Sequence, residues 1–176
     1  ARNSGILGLF QNKTIKNVPD YIFGVEVGLG TNGRKNRGGG IMEAIVEDLI
    51  NVICQKNNYE YIAQATTASI KKRWGIHFDP DKTNRTIDFA VKANSKLFLI
   101  ETNYYGGGGS KLKATAGEYK GLHDLISNQG IEFIWITDGQ GWSGTKKALR
   151  ETFDYIDYIL NLEFASSGIL ESIFNL

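Results

Sequence analysis

Apolar residues recur through positions 41–56 at Met42, Ile45, Val46, Leu49, Val52 and Ile53, with Glu43, Glu47, Asp48 and Asn51 between them. Spacing of three and four residues puts the apolar set on one face, so the pattern predicts a half-buried helix over 41–56. Leu112, Ala116, Tyr119, Leu122 and Ile126 repeat it, predicting a helix over 113–128 that Gly130 stops. Residues 86–91 and 96–104 alternate and read as two strands, while 131–137 is apolar enough for a strand buried on both faces. Shorter signals predict strands at 21–27, 59–65 and 159–164, a turn of helix at 69–74 and a helix at 144–154. Residues 1–20 read as irregular, and the basic, Gly-rich stretch 28–40 reads as a loop. The order helix, antiparallel strand pair, helix, strand, helix predicts an α/β fold, with a central mixed sheet flanked by helices in a single domain across 1–176.

The 176 residues are 41% hydrophobic and 22% charged, which excludes a disordered or fibrous chain. No apolar run is long enough to cross a bilayer. The opening Ala-Arg-Asn-Ser has no initiator Met and no signal peptide, so a processed chain or a fragment of a longer one is expected. A lone Cys54 excludes an internal disulfide, and two histidines, His77 and His123, direct any metal expectation toward a hard ion held by oxygen. The net charge is only +1, but residues 1–150 carry +6, and from Glu151 onward five acidic residues stand without a Lys or Arg. Basic clusters at 34–37, Lys71-Lys72-Arg73, Lys111/Lys113 and Lys146-Lys147 suit a polyanion held along one face, with solvated surface as the alternative. The acidic tail is expected to pack away from that face.

Two glycine patterns fail as nucleotide sites. Gly28-Leu29-Gly30-Thr31-Asn32-Gly33 fits G-x-G-x-x-G, but no helix is predicted to open before residue 41, as a dinucleotide fold requires. In Gly106 to Gly109 followed by Ser110-Lys111, the serine precedes the lysine, the reverse of a phosphate-binding P-loop. Four glycines instead predict bare backbone able to approach something closely. No nucleotide cofactor is expected.

Chemistry concentrates between residues 86 and 111. Along 96–104, Leu97, Leu99, Glu101 and Asn103 share one strand face, so two polar residues end an apolar row. With Asn94-Ser95 as a two-residue hairpin loop, Asp88 falls opposite Glu101. Like charges directly opposed on a strand pair are destabilising unless a cation lies between them. The alternative is an Asp88 at a surface strand end, with Glu101 paired to Lys92 or Lys111.

Asp88, then Glu101-Thr102-Asn103 after an apolar strand, resembles the PD-(D/E)XK nuclease signature, with Asn in the usual lysine position. More narrowly, three blocks resemble the DpnII/MboI family of type II restriction endonucleases. They are Gly28-Leu29 with Asn32-Gly33-Arg34-Lys35-Asn36-Arg37-Gly38-Gly39; Glu101-Thr102-Asn103-Tyr104-Tyr105 with Gly108-Gly109-Ser110-Lys111-Leu112; and Trp135-Ile136-Thr137-Asp138-Gly139 with Gly141-Trp142. The resemblance implies a restriction-endonuclease-like fold and Mg²⁺-dependent cleavage of double-stranded DNA at GATC. It also implies a homodimer in the prokaryotic cytoplasm, part of a restriction-modification system and independent of membranes.

Carried over by position, Asp88 and Glu101 are the metal ligands and the Thr102 carbonyl a third oxygen. Glu43 or Glu47 is the upstream glutamate, with Glu43 favoured; its alternative role is a favourable anion in the first turn of a helix. Asn103 cannot titrate and so cannot be a general base; its role would be to orient water or a phosphate oxygen, with Lys111 able to supply the missing charge. Arg34, Lys35, Asn36, Arg37, Ser110 and Lys111 are the DNA-binding candidates, since Arg and Lys suit guanine and Asn suits adenine. Two further readings remain: a structure-specific repair or recombination nuclease, and a DNA-binding module that has lost catalysis.

Overall fold

The computed structural model of the chain describes residues 31–80, 82 and 84–176, with side chains from residue 38 onward. The strand expected at 21–27 lies outside the described residues. Helix α1, Thr31–Asn57, packs Met42, Val46, Ile50, Ile53 and Cys54 into the core, the face that the periodicity marked. It begins ten residues earlier than expected and continues through Gly38-Gly39-Gly40, so the loop reading of 28–40 is corrected from Thr31 on. Glycine weakens a helix only by about 1 kcal/mol per residue, which packing of a long apolar face outweighs. The ground for setting aside the dinucleotide pattern, that no helix opens before residue 41, is corrected with the loop reading. The next element, β1 (Glu60–Ala65), is antiparallel to its described neighbour.

Helix α2 (Thr67–Trp74) follows, opened by a reciprocal capping box between Thr66 and Ser69. Strands β2 (Ile87–Ala93) and β3 (Lys96–Tyr104) form the hairpin, with pairs from Ala93↔Lys96 to Phe89↔Ile100 in the register that the Asn94-Ser95 loop predicts. Helix α3 (Ser110–Ser127) returns the chain to β4 (Glu132–Asp138), parallel to β3. A 3₁₀ turn (Gln140–Gly144) and helix α4 (Lys146–Phe153) lead to β5 (Tyr158–Leu160), parallel to β4. The last strand was expected to reach residue 164. It stops at Leu160 because Asn161 caps a new helical turn, α5 (Leu162–Phe164), by accepting from the Phe164 amide. A turn through Gly168 then leads into α6 (Leu170–Phe174).

The sheet order is β1-β2-β3-β4-β5, antiparallel on one side of β3 and parallel on the other, with a core on each face. Against α1 and the C-terminal helices lie Phe89, Val91, Phe98, Ile100, Ile134 and Ile136; against α2, α3 and α4 lie Ala90, Leu97, Leu99, Phe133 and Trp135. The acidic tail closes over α1, where Glu171 pairs with Lys56 at 2.8 Å.

Candidate functional site

The β1–β2 ladder is broken at one place. Ala63 pairs with Phe89 and Ala65 with Ile87, but Gln64 and Asp88 between them do not pair, and Gln64 has φ +49. Both strands change face there: Ala63 and Phe89 pack on the α1 side, Ala65 and Ile87 on the α3 side. The kink turns the Asp88 carboxylate toward β3, where its Oδ2 accepts from the Thr102 amide at 2.7 Å and from the Thr102 hydroxyl at 2.9 Å. Burial raises the Asp88 carboxyl above the usual carboxylate range, and the Thr102 bonds pull against it.

Glu101 approaches from the α3 side and is only 6% exposed. The Nη1 of Arg85 donates to its Oε1 at 3.0 Å and the Tyr119 hydroxyl to its Oε2 at 3.2 Å. The Arg85 side chain is itself 7% exposed, and its Nη2 reaches Glu118 at 2.6 Å. Burial first and the Asp88 charge second push the Glu101 carboxyl up to about 8, against the pull of Arg85 and Tyr119. Asn103, two residues on, accepts from the Trp135 indole at 2.9 Å and lies beside Tyr119. Its carbonyl is thus engaged with the protein.

Glu43 reaches the site from α1. Its Oε2 accepts from the Gln64 amide at 3.4 Å, and burial with the Asp88 charge raises its carboxyl. Glu47, one turn on, accepts from the Tyr61 hydroxyl at 3.4 Å. Of the two glutamates, Glu43 is the one in electrostatic reach of Asp88. Glu43 and Glu101 thus flank Asp88 from opposite faces of the sheet. Among the described residues, no three His, Cys, Asp or Glu side chains are disposed to hold a metal. Asp88 and Glu101 offer oxygen donors, the kind a hard cation takes, with Glu101 already paired to Arg85.

Arg34, Lys35, Asn36 and Arg37 fall in the first turns of α1, and Ser110 and Lys111 open α3 on exposed positions. A groove of about 460 Å³ between α3 and α4 gathers Lys113, Lys120, Lys146 and Lys147, bringing two separate basic clusters to one place. The glycine run does meet bare backbone, that of the protein itself. The Gly141 amide donates to the Tyr105 carbonyl at 2.7 Å, and a Cβ on Gly139 or Gly141 would fall 2.3 Å from the Tyr105 oxygen or 2.5 Å from the Gly107 oxygen.

Arg85, Tyr119 and Gln64 were not foreseen as site residues. Tyr119 was legible only as one of the buried positions on its helix. Arg85 gives no pattern signal, and Gln64 lies in a strand whose alternation continues through it.

The family model for the DpnII restriction endonuclease matches residues 1–172. The type II restriction enzyme MjaIII of Methanocaldococcus jannaschii is 52% identical over 98% of this chain and 61% of its own length. LlaDCHI of Lactococcus lactis subsp. cremoris is 45% identical over 97% and 58%, and DpnII of Streptococcus pneumoniae 39% over 97% and 61%. The chain spans about three fifths of the length of these curated relatives. Among solved structures, protein VC1899 from Vibrio cholerae superposes with a TM-score of 0.50 at 12% identity, over 84% of this chain and 37% of that one. That likeness is one of fold, the α/β arrangement of a restriction-endonuclease-like domain.

Proposed function

This chain belongs to the DpnII restriction endonuclease family, and on that footing we propose that it carries the cleavage site of a Mg²⁺-dependent type II restriction endonuclease acting on double-stranded DNA at GATC as a homodimer. The observation that carries the reading is the pair Asp88 and Glu101, one half-buried and one buried carboxyl group near the break in the sheet, close enough for the Asp88 charge to raise the Glu101 carboxyl. The GATC assignment rests on the sequence blocks shared with the family.

Asp88 and Glu101 are the residues that would hold the ion. A bound Mg²⁺ supplies positive charge beside the scissile phosphate and makes a coordinated water more acidic. The chain's own contribution is positional. Thr102 holds the Asp88 carboxylate by two hydrogen bonds, and Arg85 with Tyr119 fixes both oxygens of Glu101. Asn103 cannot take a proton, so the proton released by the attacking water goes to solvent or to a phosphate oxygen of the DNA. Its amide, anchored by Trp135, is suited to orient water. Lys111 and the four lysines of the α3–α4 groove offer phosphate contacts, which set affinity and its salt dependence without reading sequence. Arg34, Asn36 and Arg37 supply the side-chain types that read guanine and adenine.

The test is incubation of the full-length protein with a GATC-containing plasmid and MgCl₂. Discrete fragments with GATC ends are expected, abolished by chelator and reduced more than about a thousandfold by Asp88→Asn. Cutting of branched DNA without fixed ends would favour a repair nuclease. Duplex binding with no cleavage under any divalent metal would favour a module that has lost catalysis.

A further inference from the structure

Gln64 is the one non-glycine residue of the described sheet strands with a left-handed backbone, and it sits opposite Asp88 at the break in the ladder. A side chain other than glycine, asparagine or aspartate is uncommon there and persists only where its surroundings hold it. Two contacts account for it. The Gln64 amide nitrogen donates to Glu43 Oε2 at 3.4 Å, and the same side chain stands beside the Asp88 carboxyl, where it works against the burial that raises it. An amide nitrogen carries two hydrogens, enough for one bond to each carboxylate.

We propose that Gln64 is a positioning residue that ties the α1 carboxylate of Glu43 to the β2 carboxylate of Asp88, holding two like charges together on the open side of the cation site. This rests on the Mg²⁺-nuclease reading above and adds a third group to it. A regular strand would keep Gln64 in the ladder; the left-handed turn takes it out and brings its amide to the two carboxylates. A purely conformational role predicts the opposite behaviour on substitution, since glycine accepts that φ without strain.

The test compares Gln64→Gly and Gln64→Asn with the unaltered full-length protein, read by thermal melts and by MgCl₂ titration of the melting shift in addition to cleavage. Gln64→Gly is expected to melt at or above the unaltered protein without metal, yet to need about tenfold more MgCl₂ for the same shift and for half-maximal cleavage. Gln64→Asn, which keeps an amide and tolerates the backbone, should recover part of that loss. Equal MgCl₂ dependence in all three proteins overturns the proposal while leaving the nuclease reading intact. An unaltered protein that neither shifts with MgCl₂ nor cleaves overturns both.

Discussion

The two faces of the sheet are built to different rules. On the α1 face, Met42, Val46, Ile50, Phe89, Val91, Phe98 and Ile134 are packed with Cys54 as the one polar-capable group among the fully buried residues, and burial pushes its thiol up to about 11, so it stays neutral. On the α3 face, the same strands carry buried polar groups: hydrogen bonds join Arg85, Glu101 and Tyr119, Trp135 donates to Asn103 beside them, and Trp142 donates to Thr137 at 2.9 Å nearby. A dry face needs only volume and shape, and tolerates similar apolar replacements. A buried polar chain needs every partner in place, because an orphaned charge or donor forfeits its hydration without compensation. The buried polar chain lies on one side only, and Glu43 alone joins the site from α1.

The sharpest way to break this contrast is Arg85→Ala, which removes the buried guanidinium joining Glu101 to Glu118 and should cost about 3 kcal/mol in urea denaturation. A loss under about 1 kcal/mol would mean that the chain is not coupled. Asn103→Ala removes the acceptor of the Trp135 indole and should cost about 1.5 kcal/mol, a value the same denaturation series checks. On the opposite face, Ile50→Val should cost about 1 kcal/mol and leave cleavage per folded molecule unchanged.

The last effect is one of pH. With its carboxyl near 8 in the fold against 4.5 ordinarily, Glu101 holds a proton that the unfolded chain releases. That contribution is fully present below about 4.5 and is lost as pH rises toward and through about 8, at a slope of at most about 1.4 kcal/mol per pH unit. Melts in chelator should fall across that window, and Glu101→Gln should flatten the curve.

Much of this contrast was legible beforehand. The hairpin register followed from Asn94-Ser95, where Asn94 takes φ +54, and the alternation of Leu97, Leu99, Glu101 and Asn103 put the polar pair on one face. The start of α1 was not legible, because six glycines between residues 28 and 40 argue locally for a loop while packing of the following turns decides otherwise. Arg85 was not legible either. The alternative to a shared cation paired Glu101 with Lys92 or Lys111, and only tertiary closure brings a guanidinium from just before β2 beneath it. Gln64 was hidden because a one-residue break in a ladder leaves no trace in alternation.

The contact between Gly139, Gly141 and the main chain of Tyr105 and Gly107 fuses the segments that follow β3 and β4 into a single lip. Side chains that face outward along that lip can be traded without disturbing the contact. A methyl at either glycine cannot be added without moving main chain, because it would fall within 2.5 Å of the Tyr105 or Gly107 oxygen. Evolvability at the rim is therefore bounded by two hydrogens.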